Sequence, residues 1–457
     1  MQSLPYQPKP RVEPPPRHLG GMLTAMRVDR GTARLLLGGL VVATSAFAIR
    51  YYDGHDFVHN VWAPIHGLLA GYNPYDPAQA DYLRRYNLPV VAGLYTPTSL
   101  LMHAPLALLS PSRSADVMAV LNAALIWLGV LLLIPPRSPR SCLVAAVAGA
   151  LLVVSAPAQH TIELGQLSGW AFAGLALLVA SLRNQASTTW LPSIGVILVA
   201  LKPQCAIPIL VALGVLGCWQ VLARAAAILA VTSLPGALLF IHGAANSSAI
   251  MRTVSDNLDL LSRLPPGNLA NPSNLRIDAL GVLSHLEGPA LTGLGWTLVV
   301  FVVVTGLLVL VLRAGHDRGA RALADPYVAT LVALYIVVAF YHLTYDQLLL
   351  YVGPLAAFAV VTESQATSCR SRVIAIGGVA LMVAGLILRS GFRARMIRLG
   401  LSDPLVHAAW VTLPTLISVA LVGWAFMLGR RKGSREISVL QPAPSDGRAQ
   451  PVSSHWE

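Results

Sequence analysis

The stretch "GLGWTLVVFVVVTGLLVLVLR", residues 293–313, contains no charged side chain before its last residue. A helix of about 20 apolar residues is long enough to cross the hydrocarbon core of a bilayer. Eleven other apolar runs resemble it, some of them slightly shorter: about 33–50, 114–134, 141–157, 168–182, 188–201, 204–219, 225–241, 326–341, 346–361, 373–388 and 406–428. We therefore predict an all-α, polytopic membrane protein with about 12 transmembrane helices.

The composition supports this fold class and excludes an ordinary soluble protein. Of the 457 residues, 55% are apolar and only 11% are charged, and the mean hydropathy is +0.64. A soluble protein of this size carries more surface charge, so the excess apolar area must face lipid. The net charge of +12 comes from basic residues between the apolar runs, where they orient a membrane protein. We therefore expect membrane lipid, and no nucleic acid, as a partner.

The cysteines do not indicate a metal site or a disulfide. They are scattered, without a C-x-x-C pair or a histidine at ligand spacing: Cys142, Cys205, Cys218 and Cys369. We interpret them as small apolar residues in helices. The sequence also contains no carboxylate cluster that suggests a required metal ion, so we expect neither a metal nor a cofactor.

The two ends of the chain differ from the apolar middle. Residues 1–30 are rich in proline and residues 431–457 are polar, so we predict disordered cytoplasmic tails around a membrane domain at 31–430. The segment Ser45–Ala48 in the first apolar run imitates a signal-peptide cleavage site. The basic region before it is unusually long, which favours an uncleaved anchor.

The short apolar segment 96–111 decides the topology, because it is bounded by prolines and contains Pro105. If it does not cross the membrane, most arginine-rich loops face the cytoplasm, as the positive-inside rule prefers. Both termini are then cytoplasmic, and the conspicuous polar segments share the outer face. These segments are 51–113, 163–166, 201–204, 242–292, 341–347 and 389–405.

The stretch "YYDGHDFVHNVW", residues 51–62, follows the first apolar run and contains Asp53, Asp56 and His59. If it is helical, Asp56, His59 and Asn60 share one face. A carboxylate in a partly dry cleft has a raised proton affinity and can act as a general base near neutral pH. The alternative is a solvated cap on the first helix.

Lys202 interrupts an apolar run, and Pro203 breaks the helix there. Because a lysine in lipid is costly, its side chain should face a cavity or extend to the membrane interface. In a cavity it is suited to binding a phosphate as a point charge.

Three further groups of polar residues are candidates for substrate binding. Glu163 and Gln166 stand near a glycine bend and could bind a sugar or cap two helices. His342 and Asp346 form an i, i+4 pair, flanked by Tyr341 and Tyr345, which we interpret as ordinary interfacial aromatics. Arginines of the loop 389–405, among them Arg395, either bind an anionic group or show that the predicted topology shifts there.

Taken in order, these features resemble glycosyltransferase family 87, membrane enzymes of the GT-C class that use polyprenyl-phosphate sugars. The resemblance runs from about 50 to 360 and rests on the order and spacing of several weak motifs. They are Asp56, "IHGLLAGYNPYDP" (65–77), "LYTPTSLLMHAPLALLSP" (94–111), Gly165-Gln166, Lys202-Pro203 and "GNLANPSNL" (267–275). The family often has Y-x-Pro-Pro where this chain has Pro97-Thr98 after Tyr95.

The resemblance implies a GT-C membrane domain with outer-face loops and short interfacial helices. It also implies a mannosyl- or arabinofuranosyltransferase that builds envelope glycolipids, as in mycobacteria, at the outer face of the plasma membrane. The partners would be a polyprenyl-phosphate sugar donor and a glycolipid or envelope glycan acceptor. The implied catalytic residues are Asp56 as base, with Asp53 as the fallback, and His342. The predicted substrate-binding residues are Asp53, His59, Tyr95, Glu163, Gln166, Lys202, Asn271, Asp346 and Arg395.

Two other classes of protein compete with this interpretation. A lipid-linked-sugar transporter would show charges at the bilayer midplane and inverted repeats, whereas most spans here lack charge and the two halves do not match. A non-enzymatic scaffold would leave the one-sided polar clustering unexplained.

Overall fold

The computed structural model describes residues 29–50, 52–72, 84, 97–184, 189–242, 277, 279, 294–315, 320–339, 342–363, 368–387 and 412–439. The elements in this part of the chain are helical. They are α1 (Arg30–Ile49), α2 (His55–Phe57), α3 (Ala63–Leu69), α4 (Pro97–Ala107), α5 (Pro111–Leu133), α6 (Pro139–Val153), α7 (Ala156–Glu163), α8 (Ser168–Arg183), α9 (Leu191–Ala200), α10 (Pro203–Val215), α11 (Trp219–His242), α12 (Leu294–Gly315), α13 (Pro326–Ala339), α14 (Val352–Glu363), α15 (Cys369–Ile387) and α16 (Leu413–Val439). A π-helical segment, Val58–Trp62, joins α2 to α3, and 3-10 segments at Ala320–Ala324 and Thr344–Tyr351 precede α13 and α14.

Residues at the helix starts explain many of these boundaries. Asp29 caps α1 by accepting hydrogen bonds from the backbone N–H groups of Gly31 at 2.7 Å and Thr32 at 3.0 Å. Ser138 and Ser141 form a reciprocal capping box at the start of α6. Prolines occupy the first turn of several helices, where their missing N–H would have no partner in any case.

The apolar helices confirm the predicted all-α, polytopic membrane architecture. Among the described residues, five helices are long and apolar enough to cross a membrane, or six if α6 and α7 form one bent span. Six shorter apolar helices of 10–17 residues accompany them. The count of about 12 transmembrane helices requires that these shorter helices cross as well, and it stays a prediction.

Several helices have large apolar side chains on their outer surface, and a continuous apolar face of this kind is unfavourable in water. The side chains of Leu35 on α1, Val231 on α11 and Leu310 on α12 are 79%, 71% and 65% exposed. Removing such a side chain from water typically contributes about 1.5–3 kcal/mol of stabilising free energy. The bundle therefore presents these faces to lipid.

Close backbone contact holds the centre of the bundle together. Gly174 of α8 faces Gly195 of α9, and a Cβ atom added to either glycine would lie 2.6 Å from the carbonyl oxygen of the other. Small residues permit this approach, which is how membrane helices gain packing contacts without a hydrophobic driving force between them. Any larger residue at either position would separate α8 from α9.

Helix α4 corresponds to the segment predicted not to cross the membrane. Its 11 residues span about 16 Å at the usual helical rise, roughly half the thickness of the hydrocarbon core. Helix α9 is shorter still, at 10 residues, so length does not distinguish α4 from the helices predicted to cross, and the non-crossing topology of 96–111 stays a prediction.

The chain bends sharply between α6 and α7. A bend of 62° separates α6 from α7, because Ser155 has an extended backbone and a proline follows in the first turn of α7. This bend directs α7 toward the segment that contains Asp56.

At the other end of the chain, α16 continues to Val439, beyond the boundary that we predicted at 430.

Candidate active site

The segment that follows α1 lies against the C-terminal end of α7. The backbone N–H groups of Asp53 and Gly54 donate to the carbonyl oxygen of Glu163 at 3.0 and 2.8 Å, and Phe57 donates to Leu164 at 3.1 Å. The last carbonyls of a helix have no partner within the helix. The segment that contains Asp56 therefore supplies hydrogen-bond donors to the carbonyl groups at the end of α7.

The turn after α7 requires glycine. Gly165 has a φ of +68°, a left-handed conformation that other residues adopt only with strain. A Cβ atom at this position would also lie 2.5 Å from the Cβ atom of Phe57. The predicted bend at 163–166 is thus confirmed, and it contacts the residue next to Asp56.

The carboxylate of Asp56 is partly buried and is held by an amide. Gln166, whose side chain is only 4% exposed, donates from Nε2 to Oδ2 of Asp56 at 2.6 Å. Burial raises the pKa of Asp56 above its ordinary value of 3.8, and the bond from Gln166 and the charges of His55 and Lys202 oppose this shift only in part. Asp56 is therefore a stronger base than an exposed aspartate.

A second, fully buried polar cluster lies beside the first. Lys202 forms an ion pair with Oδ1 of Asp346, and both side chains are 1% exposed. Ser168 donates to the same Oδ1 at 2.6 Å and accepts from Lys202 Nζ at 2.9 Å. Nδ1 of His342 lies 2.8 Å from Oδ2 of Asp346. One carboxylate thus joins a lysine, a hydroxyl and an imidazole.

Breaks in the helices place these side chains inside the bundle. Lys202 is the second of the two residues between α9 and α10, with Pro203 at the first position of α10. Ser168 begins α8, only two residues after Gln166. Asp346 lies in the 3-10 segment before α14. Because Gln166 and Ser168 belong to the same turn, the two clusters are neighbours.

Comparison with known proteins shows the family to which the chain belongs. The sequence model of glycosyltransferase family 87 matches residues 94–340, which is more than half of the chain. The chain belongs to glycosyltransferase family 87. No curated protein and no solved structure matched the chain.

Membership of family 87 identifies the protein as a membrane glycosyltransferase, which uses a sugar donor and an acceptor. The matched region contains Glu163, Gln166 and Lys202, whereas Asp56, His342 and Asp346 lie outside it. The clusters around Asp56 and Asp346 therefore join residues from inside and outside the matched region.

The structure brings four of the predicted outer segments of this glycosyltransferase together. Side chains or backbone groups of 51–113, 163–166, 201–204 and 341–347 meet in the two clusters. Since these segments touch one another, they share one end of the bundle, and the outer face as the location of that end stays a prediction. Tyr95, Asn271 and Arg395 lie outside the described residues.

The other predicted site residues have different surroundings. The side chain of Asp53 is exposed, and that of Glu163 is half-buried. His59 is buried, with its ring 3.8 Å from the ring of His55 in an edge-on contact. Burial lowers the pKa of His59, so its imidazole is neutral at physiological pH.

Sequence reasoning missed two contacts of the second cluster. It did not identify Ser168, although a hydroxyl at the start of a helix directly after a glycine–glutamine bend was a usable signal. It interpreted Tyr345 as an interfacial aromatic, yet this side chain is buried and its ring lies 4.3 Å from Nζ of Lys202. Lys202 also does not extend to the interface, since it is buried.

No three His, Cys, Asp or Glu side chains are arranged to share a metal ion within the described part of the chain. The cysteines there are free, and Cys142, Cys205 and Cys218 are buried. What this arrangement offers chemically is one basic carboxylate next to a buried ion cluster that contains a lysine and a histidine.

Proposed function

We propose that this glycosyltransferase moves a sugar from a polyprenyl-phosphate donor to a hydroxyl of a lipid-linked or envelope glycan acceptor. The observation that carries the proposal is the position of Asp56. Its carboxylate is partly buried, held by Gln166, and close enough to Lys202 to be influenced by the lysine's charge. This arrangement matches the needs of glycosyl transfer, in which a base and a phosphate-stabilising group act on two sides of one carbon atom.

In the proposed reaction, the acceptor hydroxyl oxygen attacks the anomeric carbon of the donor. The hydroxyl proton passes to Asp56 as the new carbon–oxygen bond forms. The bond between the anomeric carbon and the phosphate oxygen breaks, and its electron pair leaves with the polyprenyl phosphate. Because that leaving group is itself an anion, one or two cationic donors suffice to stabilise it, and no metal ion is needed for the balance.

We assign the phosphate to the side of the site that contains Lys202 and His342. Lys202 is paired with Asp346, so its charge is largely compensated within the cluster. His342, oriented by the contact of Nδ1 with Asp346, would turn its other ring nitrogen toward the departing phosphate. Arg395 is the third candidate for this phosphate, on the basis of its place in the sequence.

The remaining substrate-binding assignments follow the same geometry. Asp53 and His59 belong to the segment of Asp56, and Glu163 lies against it; we propose that all three bind hydroxyl groups of the sugars. Tyr95 and Asn271 retain this role from their sequence motifs. We propose mannose as the sugar, with arabinofuranose as the alternative, and the outer face of the plasma membrane as the location.

A lipid-linked-sugar transporter is the second candidate, because a buried lysine–aspartate pair among membrane helices is also a feature of transport proteins. A transporter needs a membrane barrier to show activity, whereas an enzyme does not. Purified protein in detergent, supplied with polyprenyl-phosphate mannose and a glycolipid acceptor, should therefore make a glycosylated product.

The same reaction tests the role of Asp56. Asp56→Asn keeps the size of the side chain and removes the base, so turnover should fall by about two to four orders of magnitude. Asp53→Asn removes a proposed sugar-binding group and the fallback base, so it should raise KM while keeping most of kcat. Normal turnover in Asp56→Asn with none in Asp53→Asn would move the base to Asp53, and activity in both variants would refute the mechanism.

A further inference from the structure

The amide of Gln166 faces the carboxylate of Asp56 across a separation of 110 residues in the chain. Sequence reasoning offered two roles for this glutamine, sugar binding and capping of the bend. The structure gives its side chain a different partner. Within the described part of the chain, the bond from Gln166 is the one side-chain hydrogen bond that Asp56 receives.

Gln166 is itself fixed by the bend. Its backbone N–H donates to the carbonyl oxygen of Thr161 at 2.9 Å, and its side chain is buried. The same bend accepts the backbone hydrogen bonds of Asp53, Gly54 and Phe57. The segment of Asp56 is therefore attached to the bend at its backbone and, through Gln166, at the carboxylate.

A neutral amide suits this position for a chemical reason. It binds one carboxylate oxygen and restricts rotation of the group, which leaves the second oxygen to receive the hydroxyl proton of an acceptor. A charged donor at the same place would stabilise the ionised carboxylate much more strongly and weaken the base. An apolar residue would leave the carboxylate free to rotate.

We propose that Gln166 is a positioning residue for the catalytic base and not a sugar-binding residue. This inference rests on the proposed function of Asp56. It makes a distinction that kinetics can measure. A positioning residue acts on turnover and on the pH dependence of turnover, whereas a sugar-binding residue acts chiefly on KM.

The test compares Gln166→Met with Gln159→Met in the detergent reaction. Gln159 is also buried, but its amide donates to the carbonyl oxygen of Val153 at 2.9 Å, so its loss does not touch Asp56. We expect Gln166→Met to lower kcat by up to about 100-fold, the cost of a misplaced reacting group, with KM for donor and acceptor within about twofold. The acid limb of kcat should move to higher pH, because a bond that favoured the ionised carboxylate is gone.

Gln166→Glu supplies a second, independent variant with the same length and a polar end. Its carboxylate would repel that of Asp56, so the acid limb should move further toward high pH than in Gln166→Met. If Gln166→Met does not fold in detergent, Gln166→Glu carries the test alone. Gln159→Met should leave the acid limb where the unmodified enzyme has it.

Two outcomes would overturn the inference. An unchanged kcat and acid limb in the Gln166 variants would remove any role in positioning, and a raised KM with normal kcat would assign Gln166 to substrate binding. Either outcome together with an inactive Asp56→Asn variant would leave the proposed function intact. An active Asp56→Asn variant would refute the proposed function itself.

Discussion

Lys202 and Asp346 form a buried ion pair between the break that separates α9 from α10 and the 3-10 segment that precedes α14. The chain separation between the two residues is 144 positions. Ser168, His342 and the backbone N–H of Leu343 also hydrogen-bond to this carboxylate. The cluster thus joins three distant parts of the sequence, and the ion pair gives Lys202 a structural role in addition to the proposed contact with phosphate.

Removal of one partner should therefore destabilise the protein. Lys202→Met leaves an uncompensated carboxylate in the bundle, which typically costs about 3–5 kcal/mol. We expect a clearly lower midpoint of thermal unfolding in detergent. The double variant Lys202→Met/Asp346→Leu has no buried charge left over, so it should recover most of the stability. Equal stability of Lys202→Met and the unmodified protein would contradict the importance of the pair.

Activity separates the structural role of Lys202 from the catalytic one. Because Asp346 also orients His342, the double variant is compared with Asp346→Leu: if Lys202 also stabilises the departing phosphate, the double variant should have the lower kcat of the two. Lys202→Arg keeps the charge but changes its shape, so it should retain part of the activity. Full activity in the double variant would leave Lys202 with the structural role alone and transfer the phosphate to Arg395 and its neighbours.

The sequence predicted local features of this site well and its pairings poorly. The apolar run at 168–182 became α8, and the expected helix break lies at Lys202, since hydropathy and proline act locally. The contact of Gln166 with Asp56 and that of Lys202 with Asp346 depend on how distant helices rotate and pack. No spacing pattern records that, so the sequence did not predict the protein partners of Gln166 and Lys202, whereas it did predict the local pair of His342 and Asp346.

The raised pKa of Asp56 predicts an opposition between stability and activity. Because burial raises this pKa above 3.8, the ionised carboxylate destabilises the folded state once the pH exceeds the ordinary value. Asp56→Asn should therefore unfold at a higher temperature than the unmodified protein near neutral pH, although it is inactive. Below about pH 4 the carboxyl is protonated in both the folded and unfolded states, and the difference should vanish.

Thermal unfolding of both proteins between pH 3.5 and pH 8 measures this difference. Asp53→Asn removes an exposed charge and should shift the unfolding temperature little across the same range. A lower unfolding temperature for Asp56→Asn at neutral pH would show that the carboxylate contributes to folding as an ion, against the direction of the pKa shift.

Gly165→Ala should affect both stability and turnover. The left-handed backbone alone costs of order 1–3 kcal/mol with a non-glycine residue, and the new Cβ atom would also displace Phe57. Gly217→Ala is the matched control, because Gly217 has a similar φ of +74° and no atom lies within 4 Å of its added Cβ atom. Both variants should lose stability, but only Gly165→Ala should lose kcat beyond about tenfold, since movement of Phe57 misplaces Asp56. Equal kcat in the two variants would mean that the turn at Gly165 does not position Asp56.

The predicted outer-face location can be tested by labelling introduced cysteines with a membrane-impermeant thiol reagent in intact cells. Cys369 is exposed and would itself react once the reagent reaches its side of the membrane, whereas Cys142, Cys205 and Cys218 are buried, so Cys369→Ser is the proper background. The predicted topology places positions 80 and 270 outside and positions 138 and 320 inside. Ala80→Cys should therefore react in intact cells, and Ser138→Cys should react only after the cells are permeabilised. Reaction of Ser138→Cys from outside would mean that the segment 96–111 crosses the bilayer and would refute the outer-face location of Asp56.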